Sequence, residues 1–75
     1  MASRLRASIK VDSLHDTLLR ILASGEFAVG DRFHTTQKIA DIYQVSYVTA
    51  HRAMTRLVEN GYLKRDNGRG TFVNE

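Results

Sequence analysis

The stretch from Val45 to Gly61 constrains this chain most, because it predicts one capped helix with two different faces. Ser46 precedes the periodic run, and a serine hydroxyl there accepts a hydrogen bond from a free amide of the first turn. Asn60 and Gly61 follow the run, and glycine tolerates the left-handed conformation that often ends a helix. The apolar residues between the caps recur with the helical period and predict one buried stripe, made of Ala50, Ala53, Met54 and Leu57.

The opposite face of this predicted helix carries Val48, Arg52, Thr55 and Glu59, with Tyr47 and His51 on a flank. A solvated face more often carries lysine or glutamate where Val48 stands. The start of the helix therefore looks like a contact surface. A second interpretation stays open, in which Tyr47 and Val48 tuck under a neighbouring loop, since periodicity alone does not separate the two.

Length and cysteine content limit the class of protein. Seventy-five residues make one small domain with a modest core, and the absence of cysteine excludes disulfides and thiolate metal sites as supports. No apolar run approaches the roughly 20 residues of a spanning helix, and nothing resembles a secretory signal. We expect a cytoplasmic protein without a cofactor or a metal site.

Positive charge collects at the two ends of the chain. The net charge is +3, residues 1–11 carry three bases and no acid, and residues 44–73 carry five bases against two acids. Such segments would attract a polyanion such as nucleic acid if the fold brings them to one face. Composition alone leaves ordinary solvated charges as an equal alternative.

Before the capped helix, the chain divides into a tail and two helical segments. We interpret residues 1–11 as a flexible basic tail and residues 12–75 as the folded domain. Ser13 and Asp16 form a capping-box pattern that predicts the start of a first helix. Its stripe consists of Leu14, Leu18, Ile21 and Leu22, and Gly25 marks its end.

A second helix is predicted to begin after Thr35, which offers an N-cap, and to turn Ile39, Ala40 and Tyr43 inward. A very short strand is expected near Phe33, just before it. The brief connection between the second and third helices predicts a helix-turn-helix arrangement, although it lacks the glycine that this turn often carries.

After Gly61 the pattern predicts a hairpin. Residues 62–65 and 70–73 are short strand candidates, and Asn67-Gly68 between them favours a type I′ turn. Two strands are unstable alone, so the hairpin must pack on the helices and could pair with the segment near Phe33. We therefore predict an α+β, mainly α fold, a winged helix-turn-helix with three helices and a small antiparallel β-sheet as the wing.

Several motifs in order carry a family resemblance over about Asp12 to Val73. They are Gly30-Asp31-Arg32, Val45-Ser46 with Thr49, Arg52 and Ala53, Gly61, and Gly68-Arg69-Gly70-Thr71-Phe72-Val73. The set resembles the winged helix-turn-helix DNA-binding domain of the GntR family of bacterial transcription regulators. Family members often have proline where His34 stands, arginine at the positions of Gln37 and Tyr47, and arginine or another polar residue at that of His51. The resemblance therefore implies the way of docking but not a particular operator.

The resemblance implies that the third helix, residues 46–60, lies in the major groove and that the wing, residues 62–73, meets the minor groove. The expected base-reading residues are Tyr47, Val48, Thr49, His51 and Arg52. The expected phosphate contacts are Thr35, Thr36, Gln37, Lys38, Ser46 and Arg56. The expected minor-groove residues are Lys64, Arg65, Asn67, Gly68, Arg69 and Gly70; for Lys64 and Arg56 a plain surface charge is an equal alternative.

The resemblance also implies partners. We expect a double-stranded, two-fold symmetric DNA operator, repression as the commoner mode, a homodimer of the full-length protein, and a small-molecule effector bound by a C-terminal domain that these residues lack. A winged-helix module that binds protein or RNA is the alternative. An enzyme is not expected, because His15, His34 and His51 have no carboxylate or thiol at catalytic or metal-site spacing.

Overall fold

The computed structural model describes residues 2–66 and 68–74, with side chains from residue 10 onward. The elements in chain order are α1 (Ala2–Ala23), α2 (Thr36–Tyr43), α3 (Tyr47–Glu59), β1 (Leu63–Asp66) and β2 (Gly70–Val73). The strands form an antiparallel two-stranded sheet. This confirms the predicted class of three helices with a small sheet.

The first helix is longer than the sequence pattern predicted. It begins at Ala2, so the predicted start at Ser13 is wrong and Ser13 lies inside α1. Residues 2–12 contain neither glycine nor proline and are rich in alanine, leucine, arginine and lysine, so nothing in them stops a helix from extending. Residues 2–11 of the expected tail are therefore helical. The side chains of Arg4 and Arg6 lie outside the described residues.

The core is built around the inner face of α3. Its four predicted stripe residues, Ala50, Ala53, Met54 and Leu57, are all fully buried. From α1, Leu14 and Leu18 are buried as predicted, while Ile21 and Leu22 pack partly buried at the margin. His15, which the pattern did not place in the core, is also buried.

The turn between α2 and α3 contains a left-handed residue that is not glycine. Gln44 adopts the left-handed conformation with φ of 57°, and its amide donates to the carbonyl of Ala40. Its side-chain amide also donates to the Asp41 carbonyl at 3.0 Å. Glutamine thus ends α2 in a conformation that glycine often supplies, and the side-chain hydrogen bond helps hold it there.

The first strand of the hairpin begins and ends one residue later than predicted, whereas the second has the predicted bounds. Leu63 pairs with Val73 and Asp66 with Gly70, so β1 runs one residue further than expected and three residues connect the strands. The Arg69 amide donates to the Asp66 carbonyl at 3.0 Å, and Gly68 has φ of +78°. Gly70, with φ of +119°, lets β2 begin opposite Asp66. The predicted type I′ turn depends on Asn67, which lies outside the described residues.

The segment before α2 runs along the outer edge of β2. Arg32 forms a single antiparallel bridge pair with Phe72. Backbone hydrogen bonds join Gly30 to Val73 at 2.9 Å and Phe33 to Thr71 at 2.8 Å. The expected pairing of the hairpin with the segment near Phe33 is therefore confirmed, as one bridge and not as a full strand.

In the part of the chain that the structure describes, none of the helices combines the length and hydrophobicity needed to cross a bilayer.

Truncation of Leu18 to alanine should destabilise the fold strongly. Leu18 is fully buried between α1 and the core, so the loss of its methyl groups should lower the unfolding free energy by about 2 to 5 kcal/mol. Urea denaturation followed by circular dichroism measures this. Ile42→Ala, at a half-exposed site on α2, is the control and should change stability by less than about 1 kcal/mol. Equal effects of the two variants would contradict the core described above.

Candidate DNA interface

The N-terminal half of α3 presents an exposed face. Tyr47 is 54% exposed and Val48 59% exposed, and His51 and Arg52 are exposed one turn further on. The interpretation in which a loop covers Tyr47 and Val48 is therefore wrong. The buried alanine stripe explains this orientation, because it fixes the rotation of α3 and turns these residues away from the core.

Tyr47 and His51 form a flat aromatic surface on the flank of α3. Their ring centroids are 6.1 Å apart and their planes differ by 14°. The two residues are four apart in sequence, which places them one above the other on a helix. Tyr47, His51 and the neighbouring Val48 are all exposed at this end of α3.

The hydroxyl groups of Ser46 and Thr49 serve the start of α3. The Ser46 hydroxyl oxygen accepts the Thr49 amide at 3.1 Å, which confirms the predicted N-cap, and it donates to the Thr49 hydroxyl at 3.0 Å. Thr49 is half-buried. Because the Thr49 oxygen acts as the acceptor, its own proton remains able to donate to an acceptor outside the protein.

The start of α2 lies at the same surface. The Thr35 hydroxyl accepts the Lys38 amide at 3.1 Å, which confirms the predicted cap. Gln37 donates from its side chain to Asp41 at 3.1 Å, so it lies along α2. Lys38 is exposed and Thr36 is half-buried.

An open groove of about 390 Å³ joins the beginnings of both helices to the wing. It brings together predicted phosphate contacts, one predicted base-reading residue and predicted wing residues. Its lining consists of Thr35, Thr36, Gln37, Tyr47, Arg65, Asp66, Gly68, Gly70 and Thr71. The sequence pattern did not single out Asp66 and Thr71 as part of this surface.

The basic residues of the wing differ in where they point. Arg65 donates from its guanidinium to the Thr55 hydroxyl at 3.1 Å, so its side chain reaches toward α3. Lys64 and Arg69 are exposed. The predicted wing residue Asn67 lies outside the described residues.

A second open cavity of about 420 Å³ lies further along α3, between this helix and α1. Its lining consists of Val11, Asp12, His51, Arg52, Thr55 and Arg56. The Asp12 carboxylate accepts a hydrogen bond from the Arg56 guanidinium at 2.6 Å. Arg56, expected to contact phosphate, therefore has an acidic partner inside the protein. No local pattern could have indicated this pair, because 44 residues separate its members.

Arg32 is a further residue whose role sequence reasoning missed. Its guanidinium donates to the backbone carbonyl of Arg69 at the tip of the wing. The sequence analysis included Arg32 in a family motif without a role for its side chain. Only the pairing of the 30–33 segment with β2 brings the two arginines together.

Residues 10–73 match the family model described as "Bacterial regulatory proteins, gntR family". The chain belongs to the GntR family. GntR regulators bind DNA operators, so this chain is the DNA-binding domain of a GntR-type transcriptional regulator. This family is one of transcription regulators and not of enzymes, in agreement with the expectation from the sequence.

Individual proteins agree with this GntR assignment. The chain is 34% identical over 61 residues to the "Probable fructoselysine utilization operon transcriptional repressor" of Escherichia coli K12, which covers 81% of this chain and 25% of that protein. The structure of Streptococcus agalactiae GntR matches with a TM-score of 0.77 at 25% identity, over 87% of this chain and 32% of that one. The structure "Crystal Structure of mutant ORR3 in complex with NTD of AraR" matches with a TM-score of 0.81 at 25% identity, over 85% of this chain and 91% of that one.

Replacing Asp12 by asparagine should release Arg56 toward DNA phosphates. We expect affinity at low salt to rise about threefold and the salt dependence to steepen by about one unit of slope, because one more phosphate contact forms. Fluorescence anisotropy across a salt series measures both quantities. Stability should change by less than about 1 kcal/mol, since the paired side chains are substantially exposed.

Two matched variants separate the effect of Arg56 from that of charge in general. Asp16→Asn makes the same charge change one turn along α1 and should leave the slope unaltered. Asp12→Asn in an Arg56→Ala background should show no gain. A full gain in that background would contradict the role of the Asp12–Arg56 pair.

Proposed function

We propose that this GntR domain recognises a specific double-stranded DNA operator, with α3 in the major groove and the wing at the minor groove, and that it serves a repressor. One observation carries this proposal. The exposed start of α3, the start of α2 and the wing line a single groove. A duplex presents a major groove, flanking phosphates and a minor groove in a corresponding succession.

The dimensions and chemistry of α3 suit the major groove. Its 13 residues span about 20 Å, and the groove is about 12 Å wide, enough to admit a helix. Val48 is the exposed aliphatic side chain of this face, and we assign it to a thymine methyl group. Tyr47 and His51 offer a hydroxyl and a ring nitrogen to base edges, and Arg52 contacts a base or an adjacent phosphate.

The surrounding polar residues would fix the orientation of the domain without reading sequence. Thr36, Lys38 and the cap residues Thr35 and Ser46 lie at the starts of α2 and α3, where backbone amides and side-chain donors favour a phosphate. The Thr49 hydroxyl would donate its proton to a phosphate oxygen or to a base edge. Gln37 would have to leave Asp41 to contribute.

At the wing, Gly68 and Gly70 permit close approach of the backbone, and Arg69 extends a positive charge from the tip. The negative potential of a narrow minor groove favours an inserted arginine. Lys64, exposed on β1, would add a phosphate contact. Arg65 would act at the groove between the wing and α3, because Thr55 holds its guanidinium there.

The regulatory setting of the intact protein is also part of the proposal. The chain spans about a quarter of the Escherichia coli relative, whose name is that of a repressor. We propose that the intact regulator is a homodimer on a two-fold symmetric operator and that a small-molecule effector binds in a C-terminal domain. An operator with paired half-sites would give each copy of α3 its own major groove.

Val48→Ala should relax base preference at one position. An operator is first selected from random duplex DNA at moderate salt, and each thymine is then replaced by uracil, which removes only the methyl group. At one such position the replacement should weaken the binding free energy of the wild-type domain by about 1 kcal/mol. The same replacement should leave the affinity of Val48→Ala unchanged. Ile42→Ala, an exposed aliphatic truncation on α2, should behave as wild type. Recovery of no sequence motif would contradict specific recognition.

Arg69→Ala should weaken binding through electrostatics. We expect the magnitude of the slope of log affinity against log salt concentration to fall by about 0.9, the value for one phosphate that is no longer neutralised. The loss of affinity should be similar for all operator variants. Arg20→Ala, an exposed arginine near the end of α1, is the charge-matched control and should leave the slope unchanged. Equal slopes for wild type and Arg69→Ala would exclude the Arg69 side chain from the interface.

A further inference from the structure

Arg32 spans the gap between the segment before α2 and the tip of the wing. Its backbone is held by the bridge pair with Phe72 on β2. From this position its guanidinium extends along the hairpin and donates to the carbonyl oxygen of Arg69. One arginine thus ties the wing tip to a segment that is itself paired with the sheet.

The Arg32 guanidinium has two further neighbours on β2, the Phe72 ring and Gly70. Its guanidinium carbon lies 6.0 Å from the centre of the Phe72 ring, within the range of a cation–π contact. A Cβ atom at Gly70 would come within 3.2 Å of its Nε atom, closer than ordinary van der Waals contact. The absence of a side chain at Gly70 therefore leaves the space in which the Arg32 guanidinium crosses β2.

The tip needs such support. A two-stranded hairpin is only marginally stable on its own, and this one has glycines with positive φ in the connection, at Gly68, and at the first residue of β2, Gly70. The Arg69 carbonyl lies between those glycines. A hydrogen bond from a guanidinium to this carbonyl is charge-assisted and stronger than one between neutral groups.

We propose that Arg32 is a positioning residue, which holds the wing tip in the orientation that presents the Arg69 side chain to DNA. This inference rests on the proposed minor-groove role of the wing. The backbone and the side chain of Arg69 then have different roles. The Arg69 carbonyl receives the support from Arg32, while the Arg69 side chain stays exposed for the nucleic acid.

The support can be measured in the free protein. Arg32→Met removes the guanidinium at an exposed site and should leave the domain folded. Backbone ¹⁵N relaxation should show the order parameters of the Gly68 and Arg69 amides falling from about 0.8 in the wild type to below about 0.6. Arg20→Met loses the same charge at the end of α1 and should leave both amides unchanged. Unchanged order at the tip in Arg32→Met would overturn the proposal, whatever the DNA result.

A double-mutant cycle on the selected operator tests the consequence for binding. Arg69→Ala removes the side chain but keeps the carbonyl that Arg32 contacts. If Arg32 acts by positioning, each single variant should lose about tenfold in affinity and about 0.9 in salt slope, and the double variant should lose little more than either. Additive losses, about a hundredfold with twice the change in slope, would show that Arg32 contacts phosphate itself and would overturn the proposal. If the wild-type domain selects no operator, the proposed function fails, while the relaxation measurement still decides whether Arg32 orders the tip.

Discussion

The outward face of α3 depends on the packing of its inward face. Ala50, Ala53, Met54 and Leu57 are fully buried, and the two alanines allow α1 and α2 to approach the helix closely. Successive residues of a helix are rotated by about 100°, so burying this stripe also sets the direction of Val48 and Arg52. Among the described residues the buried apolar side chains form a single cluster, so this one core sets the rotation of α3. The same apolar contacts therefore stabilise the fold and aim the candidate contact surface.

The wing takes its position from that core through the segment before α2. Phe33 is buried and packs against Phe27 with ring centroids 5.0 Å apart, which anchors the segment. The neighbouring backbone then pairs with β2, and the Val73 amide donates to the Asp31 carbonyl at 2.8 Å. A hairpin too small to be stable alone is thus held at a defined angle to α3. The groove between them depends on this link as much as on the residues that line it.

Charge on the candidate surface is less available than the count of basic residues indicates. Arg56 pairs with the Asp12 carboxylate, so the charge of one of the five bases after residue 43 is already compensated within the domain. Arg65 keeps its charge, because its partner is the neutral Thr55 hydroxyl. A net charge of +3 also supplies limited attraction to a polyanion. Under the proposed function, affinity for DNA of any sequence would be modest, and contacts from Tyr47, Val48 and His51 to base edges would carry a larger share of specific binding.

The sequence by itself determined the elements whose causes are local. Caps at Thr35 and Ser46, the helical period of the α3 stripe and the glycines of the wing predicted two of the three helix starts and the hairpin, because hydrogen bonds and backbone preferences within a few residues decide such features. The same local rules failed at Ser13, where a capping pattern stood within a segment able to continue as helix. The tertiary structure alone decided the Asp12–Arg56 pair and the contact of Arg32 with the wing. These contacts join residues 44 and 37 positions apart, and only the packing of α1 and the 30–33 segment around α3 and β2 brings them together.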